Sequence, residues 1–537
     1  MLKIEGIKLP VGCGEDALSE RVRKLLRLRN AGDLLSLTLL RRSIDAREGV
    51  QWVCAAAAEV KGEAAVLRRC RDKRVSRWTP PEPYAPPAPM PPAALRPIVV
   101  GAGPAGLFAA LILARAGQRP ILLERGRPVE QRQRDVEAFF RTGRLDPRSN
   151  VQFGEGGAGA FSDGKLNTGT KDVRHRFILE ELAACGAPRD ILVDAKPHVG
   201  TDYLHLALRN LRQQLIALGT DVRFQHRLTD IRIEDGAVAA VTVEGPQGTE
   251  ILACRHLILA PGHSARDTFE MLLARAVPME PKAFAVGVRI EQRQRDIDAA
   301  QYKEYAGTPG LPASTYKLSC HLPDGRAAFS FCVCPGGEVV AAASEEGRVV
   351  TNGMSEFARD RENTNGALLV SVTPEDFGGD GPLAGVAFQR RLEEAAYDTG
   401  GRDYHAPAQR VEDFLAGRPS AGPGSVAPSY RPGVRWCNLH DCLPPFVSET
   451  IAQALPILGR KLPGYDAPDA VMTAVESRSS SPVRIPRGEN GQSPIRGLYP
   501  CGEGAGYAGG ILSAAADGCR MAERVCAGIA RIMENGE

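Results

Sequence analysis

The chain has 537 residues, 43% hydrophobic and 24% charged, with a formal net charge of +3. That length exceeds one ordinary domain and predicts two or three, while the near-neutral charge by itself argues neither for nor against nucleic acid. No run of about eighteen apolar residues reads as a membrane span, the first residues lack the pattern of a secretory leader, and thirteen scattered cysteines fit reduced thiols in a cytoplasm better than a disulfide framework.

Residues 1–79 read as a small α+β domain with a ferredoxin-like or related arrangement. Leu2 to Val11 is strand-like, Glu15 to Leu28 carries helical apolar spacing (Leu18, Val22, Leu25, Leu26), and β-like runs surround Leu35 to Leu40 and Val50 to Cys54. Arginine and lysine crowd this domain, from Arg21, Arg23 and Lys24 to Lys73, Arg74 and Arg77. They fit a basic patch for RNA or an acidic protein partner, or an ordinary solvated face, since no aromatic stacking platform accompanies them. Residues 80–96 are so rich in proline that they predict an extended, semi-rigid linker.

Residues 97–278 read as the first part of a Rossmann-type dinucleotide-binding domain built on a parallel sheet. A β-branched run (Ile98 to Val100) meets Gly101, Gly103, Pro104, Ala105 and Gly106, a helical segment follows, and a second apolar run ends on Glu124 and Arg125. Gly101 permits the tight turn, Gly103 lets amides approach a pyrophosphate, and Gly106 allows helix on strand to pack closely. Glu124 is placed to accept from ribose hydroxyls and would repel a 2′-phosphate, which suits FAD or NAD. The glycine-rich stretch 150–169, with Gly156, Gly157 and Lys165, implies backbone held close to the cofactor. An apolar strand then emerges into Ala260, Pro261 and Gly262.

Residues 279–434 read as an inserted, β-rich substrate domain, and 435–537 as the C-terminal part of the cofactor domain. In the latter, a strand leads to Gly502 and Glu503 and then to a helix starting near Gly510 and Ile511, whose positive end can face a negatively charged ring edge. Cys437, His440 and Cys442 lack a second Cys/His pair nearby, so no metal site is expected.

Together, GAGPAG with its LLERG acid, the LILAPG strand and GLYPCGEGAGYAGG resemble the FAD-dependent oxidoreductases of the glutathione-reductase type. The chain is most similar to bacterial FAD-dependent dehydrogenases of unassigned substrate. That resemblance is carried by RSIDAR at Arg42 to Arg47, by the GEGGAGAFSDGKL loop, by CVCPGG and by VESRSSSPVRIPR at Val475 to Arg487. It implies that Gly101, Gly103 and Gly106 hold the FAD pyrophosphate and Glu124 its ribose. Gly502 and Glu503 would meet the ribityl or pyrophosphate region, Gly510 and Ile511 the pyrimidine edge, and Gly156, Gly157 and Lys165 would line the cofactor loop.

Hydride transfer between flavin and a small-molecule substrate is the leading reading. No second GxGxxG precedes another acidic-ended strand, so NADH or NADPH would visit transiently, or electrons would come from elsewhere. Two alternatives stand beside it: a flavin monooxygenase, which needs an apolar pocket, and a flavoprotein delivered to RNA or a partner by its basic N-terminal domain. Cys332 and Cys334 are candidate catalytic residues with Lys165, because residues two apart on a strand share a face and a low-pKa thiolate is a competent redox partner. They equally read as small buried hydrophobes. His263 and His321 are candidate acids or bases, and Arg478, Arg484 and Ser480 candidate ligands of an anionic group.

Overall fold

The computed structural model describes residues 1–14 and 16–535. Glu15, where the first helical spacing begins, lies outside them; the helix itself spans Asp16–Leu25. Among the described residues no helix is long and apolar enough to cross a membrane.

The parallel sheet is assembled from distant parts of the chain. Its strands, in spatial order, are Leu498–Pro500, Leu257–Leu259, Ile98–Val100, Ile121–Glu124 and Asp221–Phe224, every neighbouring pair parallel. The inner strands Ile98–Val100 and Leu257–Leu259 are wholly apolar and buried, as a parallel sheet covered on both faces requires. Helix Pro104–Arg115 is buried from Ala105 to Ala114 and packs against the long helix Ile511–Asn535. Two glycines allow this. A Cβ on Gly106 would sit 1.8 Å from the Gly101 carbonyl oxygen, and one on Gly518 would sit 2.0 Å from that of Ala105.

A seven-stranded sheet forms the other half: Ser319–His321, Ala327–Cys334, Asn363–Val372, Phe284–Arg293, Val471–Glu476, Ala406–Arg410 and Val434–Trp436. All its pairings are antiparallel except the last. This moves a boundary. Val471–Glu476 pairs between Phe284–Arg293 and Ala406–Arg410, so much of the segment assigned from sequence to the C-terminal part of the cofactor domain, 435–537, stands with the antiparallel sheet. The cause is visible in the strand itself: VMTAVE is buried at every position, and only a central place in a covered sheet accommodates that.

The N-terminal residues follow the order strand, helix, two strands, helix, strand, with spatial strand order 34–45, 51–60, 2–10, 75–77. Strand Leu34–Asp45 reaches the cofactor half, where Arg42 pairs with Asp194 and Asp190 and exchanges backbone bonds with Val193 and Ala195. Residues 80–96 contain neither helix nor strand, yet they are more than a spacer. The Tyr84 hydroxyl donates to Glu523 at 2.5 Å and its ring packs on Phe177, while Ala93 N donates to Gln118 Oε1 at 3.0 Å.

Candidate functional site

Four glycine-bearing segments converge where the parallel sheet meets the antiparallel one, enclosing a cavity of about 350 Å³. They are the turn after Val100, the 154–164 loop, Pro261–Gly262, and 502–510. Gly101 takes φ +96°, and a Cβ there would lie 2.2 Å from the Ala260 carbonyl oxygen; only glycine fits such a turn. Of the residues singled out from sequence, Gly101, Gly103, Pro104, Ala105, Glu124, Arg125, Gly157, Lys165, Gly262, Gly502, Glu503, Gly510, Ile511 and Cys332 line this cavity.

Ser480, Arg484 and His321 do not, and neither do three of the cofactor and cysteine candidates. Gly106 lies behind the turn against Gly101, because its work is helix packing. Gly156 faces away: its amide donates to the Ala102 carbonyl at 2.7 Å, and a Cβ on it would strike Leu208. Cys334 is buried behind Cys332, because the strand gains an extra residue between Phe331 and Cys334. At that irregularity Cys332 adopts φ +40°, and the simple alternation that would put both thiols on one face is broken.

The sheet end of the cavity is made of backbone. Glu124 accepts from Ala102 N at 2.8 Å through one oxygen, and from Gly126 N at 2.9 Å and Gly154 N at 3.0 Å through the other. Amides therefore fix the carboxylate: two donors fill one oxygen, and the other, with a single donor, keeps a lone pair for a further hydrogen bond. Helix Pro104–Arg115 begins at Gly103 without a side-chain cap, so its first-turn amides are available to an anion. Across the cavity, helix Ile511–Asn535 starts beside Gly509 and Gly510. An acid for hydroxyls, a bare helix N-terminus for phosphates and a second helix N-terminus for an electron-rich ring fit FAD.

The opposite end is made of side chains. Lys165 Nζ lies 2.7 Å from Asp163 Oδ2 and donates to the Val333 carbonyl. Burial is the largest single influence and opposes its charge, but Asp163, Cys334 and Cys332 together outweigh it and raise its pKa. Arg289, fully buried, donates to the Cys332 carbonyl at 3.0 Å and lies 3.5 Å from Glu476. Glu476, missed in the sequence beyond its place in VESR, lines the cavity; burial pushes its pKa up to about 7, with Arg289 opposing. Glu503 is also pushed up to about 7 by burial, which Lys282 only partly offsets.

His263 lies 3.8 Å from Glu503, its Nδ1 without a partner. Burial first, then the cations Arg478 and Arg266, hold it down to about 3, so it is neutral. His321, exposed on an outer strand, is not part of the cavity lining. Arg478 lines the cavity but is spent: its guanidinium makes 3.0 and 2.9 Å bonds to the two oxygens of Glu393, which also pairs with Arg266. Its charge is thus neutralised from behind.

The chain is an FAD-binding protein: residues 95–271 match the family described as "FAD binding domain", and 283–479 match "FAD-dependent protein, C-terminal domain-like". FAD is its cofactor. A protein of Clostridium beijerinckii, named there only as an uncharacterized protein, is 45% identical over 528 residues, 98% of each chain. The present chain belongs to the same family of FAD-dependent proteins. Among solved structures, the flavin-dependent brominase Bmp2 matches at 12% identity over 82% of this chain and 79% of its own, with a TM-score of 0.38. Aklavinone-11 hydroxylase in complex with FAD and aklavinone matches at 15% identity over 83% and 64%, with a TM-score of 0.34. Likenesses this loose carry no argument about activity.

Proposed function

We propose that the protein is an FAD-dependent dehydrogenase or reductase in which FAD supplies hydride chemistry to a small organic substrate. In this reading Gly101, Gly103, Pro104 and Ala105 hold the pyrophosphate and Glu124 the adenosine ribose. Gly502 and Glu503 meet the middle of the cofactor, and Gly510 and Ile511 the ring edge. The substrate sits among Phe331, Cys332, Asn352 and Glu476, with Lys165 at the junction.

The observation that carries the choice is the polar character of that last group. A hydroxylase needs an apolar chamber; the cavity as a whole is more apolar than polar, but an ionisable carboxyl, a thiol, an ammonium and an amide are all among its lining groups. Glu476, poised near neutrality, is suited to take a proton from a substrate losing hydride, or to give one in the reverse direction. NADH or NADPH would share this face transiently.

The discriminating experiment reduces the flavoprotein anaerobically with NADH or NADPH, then offers either oxygen or an artificial quinone acceptor. Turnover with the quinone and no stoichiometric oxygen uptake is the expected result. Oxygen consumed one-for-one with nicotinamide, with incorporation of an oxygen atom into a product, would instead establish a monooxygenase.

A further inference from the structure

At the polar end of the cavity, two thiols separated by the single residue Val333 share a setting that no hydride transfer requires. Cys332 lines the cavity at the extra residue of a bulged strand, with a left-handed backbone that a side chain rarely adopts. Cys334 lies directly behind, its Sγ 3.4 Å from the Cys332 carbonyl oxygen and 3.7 Å from Arg289 Nη2. Lys165 reaches the intervening Val333 carbonyl from the cavity side. Two cations therefore flank the pair, at the bulge where Cys332 leaves the regular strand conformation.

We infer that Cys332 and Cys334 form a second redox centre, a dithiol–disulfide couple that exchanges two electrons with the bound FAD. Oxidation breaks the Cys334 S–H bond and forms one S–S bond between that sulfur and the Cys332 thiolate; both electrons and the one proton released pass to oxidised FAD, which becomes the reduced anionic flavin. Reduction reverses each change, with reduced FAD as the reductant. The division of labour follows from position. Cys332 faces the cavity and carries the thiolate: the neighbouring Cys334 thiol, then Lys165 and Arg289, lower its pKa against burial. Cys334, pushed up by Cys332 and by burial, keeps its proton until the S–S bond forms.

This rests on FAD occupying the cavity, and for its use in turnover on the hydride reading above, but its test needs no substrate. Full-length flavoprotein, first oxidised with ferricyanide and freed of excess, is titrated anaerobically with dithionite. The natural protein should take up four electrons per bound FAD, while Cys332→Ser and Cys334→Ser should each take up two with their flavin spectra retained. Independently, the oxidised protein is denatured and alkylated. The peptide spanning both positions should resist alkylation and run about two mass units light, the two hydrogens lost to the S–S bond. Uptake of two electrons by the natural protein, with both cysteines alkylated after oxidation, would overturn the proposal. A protein that takes up four electrons yet fails the quinone assay would leave the couple standing and defeat only the hydride reading.

Discussion

The two ends of the cavity are built from different materials. At the parallel-sheet end, close backbone approach at glycines does the shaping, and the one essential side chain, Glu124, is fixed by three amides. At the antiparallel-sheet end, Lys165, Arg289 and Glu476 arrive from separate strands and loops beside the two cysteines of one strand, and side-chain charge holds them together with the Cys332 and Val333 carbonyls. Backbone recognition tolerates no added atom, whereas a charge cluster tolerates shape changes but not the loss of a partner.

That contrast can be broken most forcefully at Gly106. Gly106→Val should leave no folded, flavin-loaded protein, because its Cβ would lie 1.8 Å from a backbone oxygen that cannot move aside; flavin-to-protein absorbance ratio and thermal unfolding would report it, and a fully loaded variant would contradict the packing described. Next is Glu393→Ala at the charged end. It strands the buried Arg478 and leaves the buried Arg266 with Glu345 as its one remaining carboxylate, and should cost about 3–5 kcal/mol in denaturant unfolding.

Glu124→Gln removes charge and one acceptor but keeps shape. An amide facing three donors should cost about 1–3 kcal/mol, a fall of roughly 10- to 100-fold in FAD affinity measurable by fluorescence titration of the apoprotein. A smaller effect is expected from pH. Glu476 binds its proton more tightly folded than unfolded, its pKa rising from 4.5 to about 7, so between those values the native state holds more protons and stability falls as pH rises. Glu476→Gln should flatten that fall, and an unchanged slope would mean the carboxyl is not the buried titrating group. Last, Tyr84→Phe loses one hydrogen bond to Glu523 and should cost about 1 kcal/mol, with FAD affinity unaltered.

The same contrast explains what was legible in the sequence. The cradle is local: strand, glycines, helix and acid lie within residues 97–126, and their spacing is dictated by the chemistry they perform, so they announce themselves. LILAPG and the 498–511 stretch share that property. The charged end is not local. Glu476 reads as an unremarkable acid until Arg289, nearly two hundred residues upstream, is folded beneath it, and no periodicity marks such a pairing. The cysteine pair was visible as CVC, but the bulge that separates one thiol from the cavity depends on register against Asn363–Val372. The boundary at residue 434 failed for a related reason: VMTAVE is apolar enough for either sheet, and only its two neighbours decide.

The proline-rich strap has a consequence for biosynthesis. Tyr84 docks on Glu523, in the final helix, and the edge strand Leu498–Pro500 completes the parallel sheet. A nascent chain therefore emerges with its fingerprint turn early and the far wall of the same cavity several hundred residues later. The cavity that holds the flavin is thus incomplete until residues 498–511 have been synthesised and folded against the fingerprint turn.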